Sequence, residues 1–412
     1  MVDTDAAVAE RMAAFMDGLG AILGNDSRKA SFATYAQGLF SEGERKSVEP
    51  MAARSCPDPK RIDAEHQRLL HFVGVSDWGD AAVRRYAASF ALDAMTSSEP
   101  VQSWILDDTG FLKQGKHSVG VQRQYTGSAG KIANCQVGVS LTVATESEHL
   151  PIDIELYLPR CWTDDDERRR EARIPAAVTF KKKPDLALDM VRRALDDNVP
   201  RGVVLADAAY GTSTKFRDEL QRLNLEYSVA VEGRTKVFEV FDVVTPGGAA
   251  VSLRKLATKL KAKGLFQRLT WREGTRRELS ASFAIRRVVP CNQPVQAGEP
   301  TKPLWLIIEW RDGDSAPANY FLSNLPDDIA PMDLVRVTMQ RWRTERAYED
   351  LKGELGLDHF EGRRFRGWHH HISVVLCCYA FLVSERVRHF PPSAAGPLPP
   401  DAHGHAARAA LP

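Results

Sequence analysis

The sequence predicts an α/β protein in which a mixed sheet follows a helical N-terminal region. Apolar residues recur at helical spacing across residues 8–22. Two runs that alternate between apolar and smaller or polar residues, 135–143 and 150–158, flank a short polar turn, which is typical of a β-hairpin. Two short apolar runs, 104–109 and 202–207, carry aspartates at or near their ends and have the composition of buried strands. Together these patterns favour helices packed on a sheet.

The order of the predicted elements narrows the fold class. Residues 101–232 give three antiparallel-type strands, a helix at 185–198, a strand, a helix beginning near Ser213 or Thr214, and a strand at 225–231. This order fits a ribonuclease-H-like core, with helices on both faces of a mixed sheet. Strand-like runs separated by Gly- and Pro-rich loops then predict a β-rich insertion within 233–328.

The same patterns predict a division of the chain into domains. The N-terminal part is either a DNA-binding domain or a plain helical bundle, and its pattern favours neither. The Pro- and Ala-rich C-terminal tail is expected to be disordered. The predicted segments are a helical N-terminal domain (1–97), the first part of the core (98–232), the β-rich insertion (233–328), the helical end of the core (329–390) and the tail (391–412).

Composition excludes some classes of protein and leaves others open. The 412 residues include 55 Lys and Arg against 54 Asp and Glu, so any DNA contact must come from local basic patches. The N-terminus has no signal-peptide pattern, and the longest apolar run, 372–383, is too short to cross a bilayer. We therefore expect a cytoplasmic protein, and we expect the adjacent Cys377 and Cys378 to be buried core thiols.

Three carboxylates mark a candidate site. Asp108 and Asp207 each end a predicted buried strand, where rigid oxygen ligands suit a hard divalent cation. The alternative is that each aspartate caps the turn or helix that follows it. Glu345 is expected on a helix, in one stripe with Arg341, Tyr348 and Lys352. That stripe suits a site where metal and phosphates meet, but an ordinary solvated Arg–Glu pair would look the same.

Several motifs along the chain are specific in combination. They are Asp-Asp-Thr (107–109), Leu-Tyr-Leu-Pro (156–159), Ala-Asp-Ala-Ala-Tyr-Gly (206–211), the Arg–Glu–Lys spacing of 341–352, Gly-Leu-Asp-His-Phe-Glu-Gly-Arg (356–363) and Trp-His-His-His (368–371). The order of these motifs resembles that of the IS701 family of bacterial insertion-sequence transposases, within the IS4-like group of DDE transposases. The resemblance spans roughly residues 10–400, and the β-rich insertion before the glutamate is part of it.

The resemblance implies roles for particular residues. It selects Asp108 over Asp107 as the first catalytic carboxylate and adds Asp207 and Glu345, which would hold two Mg²⁺ ions, with Mn²⁺ as a substitute. It implies that Arg341 and Lys352 contact DNA phosphates near the cut. Thr338 stands where the family signature has a tyrosine. It also implies double-stranded DNA as the substrate, both transposon ends and target, and a homodimer that brings two ends together in the bacterial nucleoid.

Two basic clusters are further candidates for DNA contact. One comprises Arg168, Arg169, Arg170 and Arg173, although the acidic residues before it would also suit a solvated loop. The other comprises Arg363, Arg364 and Arg366, followed by Trp368 and the three histidines. In the predicted insertion, Trp305 or Trp310 could stack on an extruded base, but a place in a strand core is the more common situation for such residues.

Other functions fit part of the pattern. A ribonuclease-H-fold nuclease such as a junction resolvase would use the same metals without strand transfer. A non-catalytic DNA-binding remnant of a transposase is a second alternative, and a glycosidase with paired carboxylates is a remote third. The sequence does not give the terminal repeats, the target preference or the state of association without DNA.

Overall fold

The computed structural model describes residues 5–240, 249–273, 278–291 and 302–390. Two compact units divide these residues. The first unit falls within Met1–Val101, Asp108–Val199 and Arg343–Pro412, and the second within Gln102–Asp107 and Pro200–Trp342. The tail predicted to be disordered, 391–412, lies outside the described residues.

Helices form the N-terminal part of the first unit, as the apolar spacing predicted. The Asn25 side chain accepts a hydrogen bond from the Arg28 amide at 2.8 Å and so caps the second helix. Phe15, Leu19 and Phe72 are among the side chains that these helices bury. The helices are α1 (Asp5–Leu23), α2 (Asp26–Phe40), α3 (Val48–Ser55), α4 (Ile62–Gly74) and α5 (Asp80–Thr96).

The rest of the first unit joins a small antiparallel sheet to a long buried helix. Its strands are β1 (Ser103–Leu112, of which the second half lies here), β2 (Gln122–Thr126), β3 (Lys131–Ala144) and β4 (His149–Tyr157). β3 pairs antiparallel with both β2 and β4, so the predicted hairpin is confirmed. The remaining helices are α6 (Arg160–Thr163), α7 (Asp166–Ala172), α8 (Lys183–Asp196), α13 (Trp342–Gly353) and α14 (Phe365–His389), the last of which packs against α5 and β4.

The second unit contains a mixed sheet. Its strands are the first half of β1, β5 (Val203–Ala206), β6 (Tyr227–Ala230), β7 (Lys236–Glu239), β8 (Val251–Ser252), β9 (Gln267–Glu273), β10 (Glu278–Pro290), β11 (Leu304–Trp310) and β12 (Asn319–Ser323). The strand order is β1-β5-β6-β12-β11-β10-β7-β8, with β9 paired to β10. β5 is parallel to β1 and to β6, whereas the other pairs are antiparallel.

The helices of the second unit are α9 (Ala208–Gly211), α10 (Thr214–Arg222), α11 (Leu253–Ala262) and α12 (Pro331–Thr338). α10 begins where the sequence predicted, because the Ser213 hydroxyl accepts a hydrogen bond from the Phe216 amide. Parallel strands flanked by helices, continued by antiparallel strands, confirm the α/β fold class and are consistent with a ribonuclease-H-like core.

Three elements differ from the sequence-based predictions. The basic cluster that contains Arg168, Arg169, Arg170 and Arg173, for which a solvated loop was one interpretation, lies in and directly after helix α7, whose first turn is capped by Asp165. Strand β2 was not predicted, because its alternation is polar. Helix α11 lies in the region expected to be a β-rich insertion, where Leu253, Leu256 and Leu260 pack into one core with the strands.

Candidate active site

Aspartates come directly after the last residues that pair two neighbouring parallel strands. Ser103–Leu106 of β1 lie opposite Val203–Ala206 of β5, and the next residues are Asp107 and Asp207. β5 ends at Ala206, as predicted, but β1 continues to Leu112, so the prediction that Asp108 ends a strand was wrong. The apolar residues before the aspartates are buried, so this part of both strands is held rigidly.

Asp207 also caps the short helix that follows β5. One oxygen of its carboxylate accepts a hydrogen bond from the Ala209 amide at 2.8 Å, and its carbonyl accepts one from the Gly211 amide at 2.8 Å. The capping alternative considered from sequence is therefore realised. Since a carboxylate has two oxygens and several acceptor positions, capping does not prevent it from binding a cation.

The neighbouring residues Asp107 and Asp108 have different partners. The Asp107 carboxylate forms an ion pair with the Arg341 guanidinium at 2.7 Å, and the residue is 8% exposed. The Asp108 carboxylate forms an ion pair with the Lys183 ammonium at 2.7 Å and is half-buried. This difference follows from strand geometry, because successive side chains point to opposite faces. Arg341, expected to contact DNA phosphate, holds a carboxylate in this structure.

Lys183 was missed by sequence reasoning. It is the first residue of α8 and also lies over the Tyr157 ring, 5.8 Å from the ring centroid. The sequence feature that could have indicated a cationic group here is the run Lys181-Lys182-Lys183, which comes immediately before a proline at a helix start. An ammonium group beside Asp108 places a positive charge where the resemblance implies a metal ion.

Glu345 is exposed because other faces of its helix pack on the sheet. The Thr344 hydroxyl lies 2.9 Å from the hydroxyl of Thr142 on β3, and the Tyr348 hydroxyl bonds to Ser140 on the same strand. Both Thr344 and Tyr348 are buried, whereas Glu345 is exposed. The prediction that Arg341, Glu345, Tyr348 and Lys352 share one stripe of a helix was wrong in two respects. Tyr348 is buried, and Arg341 belongs to a 3₁₀ turn that precedes α13.

Lys352 lies two turns after Glu345 on α13. Its ammonium donates hydrogen bonds to the Gly110 carbonyl at 2.9 Å and to the Ser128 hydroxyl at 3.0 Å. Burial is the main cause that lowers the pKa of this lysine. The ammonium of Lys352, which was predicted to bind a DNA phosphate, is therefore bound to the backbone two residues after Asp108.

Two glycines that follow the aspartates in the sequence leave no room for a side chain. A Cβ atom on Gly110 would lie 1.9 Å from the Thr126 hydroxyl oxygen, and one on Gly211 would lie 2.1 Å from the Ala230 carbonyl oxygen. Both distances are far below van der Waals contact. The backbone after Asp108 and the backbone after Asp207 are thus each packed directly against a neighbouring element.

Fewer side chains of the second basic cluster, Arg363, Arg364 and Arg366 with Trp368 and the three histidines, are exposed than predicted. Arg363 and Arg366 are exposed, and Arg366 bonds to the Val75 carbonyl at 2.9 Å and to Asp77 at 3.0 Å. Arg364 is the residue that precedes the first turn of α14. Trp368 and the three histidines that follow are buried, so they are not part of a basic surface in this structure.

Other side chains singled out in the sequence have structural partners. Arg169 donates to the carbonyls of Val178 and Pro175 at 2.9 and 3.0 Å, which accounts for part of the 168–173 cluster. Thr338, which stands in the tyrosine position, is buried and bonds to Ser228 at 2.7 Å. Trp310 is buried, and Trp305 is half-buried and donates to the Pro326 carbonyl at 3.0 Å.

The structure also bears on the cysteines, on metal binding and on membrane helices. Cys377 and Cys378 are buried free thiols, as predicted, and burial raises the pKa of both. Within the described residues, no group of three or more His, Cys, Asp or Glu side chains is arranged to hold a metal ion. Nor does any helix in those ranges have the length and apolarity to cross a membrane.

Comparison with known proteins identifies the family to which the chain belongs. The family model described as "DDE superfamily endonuclease" matches residues 15–278, more than half of the chain, and the chain belongs to this family. A second model, "Transposase DDE domain", matches residues 182–381.

A named relative makes the similarity more specific. The chain is similar to the "Probable transposase for insertion sequence element IS701" of Microchaete diplosiphon, with 29% identity over 196 residues. The aligned segment covers 47% of this chain and 46% of the relative, so the chain matches about half the length of that protein. The resemblance to the IS701 family drawn from the motifs is confirmed.

Proposed function

We propose that this protein is a DNA transposase that cleaves transposon ends and joins them to target DNA by metal-dependent phosphoryl transfer. The observation that carries the proposal is the parallel pairing of β1 with β5, because its last pair, Leu106 and Ala206, is followed directly by Asp107-Asp108 on one strand and by Asp207 on the other. Family membership and the transposase name of the relative support it. We further propose that it acts as a homodimer on double-stranded DNA in the bacterial nucleoid.

Asp108, Asp207 and Glu345 are the proposed metal ligands. Carboxylate oxygens are the donors that Mg²⁺ prefers, and in this structure the Lys183 ammonium is bound to the Asp108 carboxylate where a cation would bind. Bound magnesium would activate a water or a DNA 3′-hydroxyl and stabilise the leaving oxygen. The proposed cofactor is two Mg²⁺ ions, with Mn²⁺ as a substitute, and the three carboxylates must come together to hold them, since the described residues contain no group already arranged for a metal.

Cationic side chains are proposed to hold the DNA phosphates. Arg341 and Lys352 would exchange their present partners, Asp107 and the Gly110 carbonyl, for phosphate oxygens. For Lys352 the exchange is favourable because hydrogen bonds between charged groups are stronger than those to a neutral carbonyl. Arg341 would exchange one charged partner, the Asp107 carboxylate, for another. Arg363, Arg364 and Arg366 are proposed to bind phosphates further from the cut.

Replacing Glu345 by Gln tests the proposal. Because Glu345 is exposed, the variant should fold with an unchanged melting temperature and still bind DNA. It should lose roughly 1000-fold in the rate of end cleavage with Mg²⁺, since one metal-binding charge is removed. The substrate is a duplex that carries the short inverted repeats expected on both sides of the gene.

The outcomes separate the proposal from its alternatives. Undiminished cleavage by Glu345→Gln would contradict the assignment of this glutamate. Cleavage without joining of pre-cut ends to a target plasmid would instead indicate a nuclease such as a junction resolvase. Binding without cleavage by the unmodified protein would indicate a non-catalytic remnant.

A further inference from the structure

The hairpin of β2 and β3 exposes two large apolar side chains. Tyr125 is 65% exposed and Ile132 is 60% exposed. They are opposite each other in the strand register, so they lie side by side on one face. Exposed apolar side chains that occur singly are common, whereas here an aromatic and an aliphatic side chain are exposed next to each other.

A cation lies on the same face of the hairpin. Side chains alternate along a strand, and in β2 Arg123 and Tyr125 are exposed whereas the residues between and beside them are more buried. Arg123 is therefore on the side of the strand that carries Tyr125. We call Arg123, Tyr125 and Ile132 the hairpin face.

The segment around the hairpin face is basic, although positive and negative charges are nearly equal in number over the whole chain. Residues 109–145 contain Lys113, Lys116, Arg123 and Lys131 but no Asp or Glu. Lys116, Arg123 and Lys131 are exposed. A surface that combines cations with an exposed ring is complementary to a polyanion that carries flat bases.

The hairpin also borders the candidate active site within the first unit. The Ser128 hydroxyl, in the turn between β2 and β3, accepts hydrogen bonds from the Lys352 ammonium at 3.0 Å and from the Gly110 amide at 3.2 Å. Gly110 lies two residues after Asp108 on β1. The turn of the hairpin that carries this face therefore contacts the part of β1 that follows Asp108.

We propose that the hairpin face binds the DNA that flanks the cleavage point. Tyr125 and Ile132 contact bases exposed where the duplex opens, and Arg123 binds an adjacent phosphate. Rings and branched aliphatic side chains are suited to this task because they stack on bases or enter a base step. The proposal rests on the proposed function and adds the region of DNA that this surface recognises.

Fluorescence anisotropy with two labelled duplexes tests the proposal. One duplex is fully paired, and the other has the same sequence with a short central mismatch. The double variant Tyr125→Ala/Ile132→Ala should bind the mismatched duplex about 10-fold more weakly, with a smaller loss on the paired duplex. The matched control Tyr125→Phe/Ile132→Val keeps a ring and a branched chain, so its affinity should stay within about 2-fold of that of the unmodified protein.

Arg123→Gln separates the phosphate contact from the base contacts. It should weaken binding to both duplexes equally and lower the slope of log affinity against log salt by about one. Melting temperatures measured in parallel show that each variant is folded. This second variant keeps the proposal testable even if the double variant is unstable.

Several results would overturn the proposal. Unchanged affinity of the double alanine variant for both duplexes would do so, as would a loss of self-association, measured by light scattering, with DNA binding intact. If that variant binds and cuts as the unmodified protein does while Glu345→Gln does not cut, the hairpin proposal alone fails. If the unmodified protein neither binds nor cuts DNA, both proposals fail.

Discussion

The histidine run 369–371 and the aspartates that follow the paired segments of β1 and β5 are both concentrations of titratable side chains, but their surroundings differ. His370 is 2% exposed and His371 is fully buried. Asp108 and Asp207 are half-buried. The comparison separates side chains that hold the fold together from side chains that solvent still reaches.

His371 shows how complete the structural role is. Its Nδ1 lies 2.9 Å from the Tyr35 hydroxyl, and its Nε2 lies 3.1 Å from the Gly356 carbonyl. A neutral ring that donates from Nε2 and accepts at Nδ1 satisfies both partners. Burial lowers the pKa of His371 to about 4, so the ring is neutral near pH 7. By contrast, Asp108 forms its ion pair where solvent still reaches both partners.

The largest expected effect comes from the two adjacent aspartates. Asp108→Asn should reduce DNA cleavage roughly 1000-fold because it removes a proposed metal ligand. Asp107→Asn should act mainly on stability, since it breaks the partly buried ion pair with Arg341. Cleavage rates and melting temperatures of both variants check the contrast.

An inverted result would break the comparison. If Asp107→Asn abolished cleavage at an unchanged melting temperature and Asp108→Asn did not, the family pattern would have selected the wrong aspartate. The register supports such a test, because Asp107 and Asp207 come next after the last paired residues of β1 and β5.

Burial of His371 predicts a large effect of pH on stability. Unfolded chains take up a proton near pH 6.5, whereas His371 in the folded protein does so only near pH 4. Between these values the unfolded state binds more protons, so the free energy of unfolding falls as the pH falls. The loss should approach about 3 kcal/mol for this residue at pH 4.

Urea unfolding at pH 7 and at pH 4.5 measures this dependence. His371→Asn should be less stable at pH 7 but less sensitive to acid. His117→Asn, at an exposed position, serves as the control and should retain the steep dependence. Equal acid sensitivity of His371→Asn and the unmodified protein would show that another group is responsible.

The ion pair between Lys183 and Asp108 predicts a smaller effect. The Lys183 ammonium competes for the carboxylate, so Lys183→Met should bind Mn²⁺ about 5-fold more tightly in calorimetric titration. Weaker Mn²⁺ binding by the variant would instead assign Lys183 to support of the metal site. Lys181→Met, which loses a pair with Asp189, provides a control of equal charge.

Local patterns predicted those elements whose own residues determine them. The apolar run of β11 matched its strand, and the capping residue Ser213 marked the start of α10. The leucines of α11, Leu253, Leu256 and Leu260, follow the spacing of an amphipathic helix. The helix was nevertheless not predicted, because the strand-like runs around it led to the interpretation of the whole region as a β-rich insertion. β2 contains few apolar residues, so only its pairing with β3 defines it.

The candidate site was less predictable than the fold. Which face of a strand or helix a carboxylate occupies depends on partners far away in the sequence. Thr142 and Ser140 bury one side of α13 and leave Glu345 exposed, and neither could be assigned to that helix from spacing alone. The partners of Asp107 and Asp108 likewise come from distant segments.

The crowding at Gly110 and Gly211 has a consequence for mutational surveys. Neither residue carries a functional group, yet any larger residue must displace Thr126 or the Ala230 carbonyl. A screen scored only by activity would therefore rank both glycines with the acids they follow. Measuring the amount of folded protein in the same screen would distinguish variants that misfold from variants that fold but have lost a catalytic side chain.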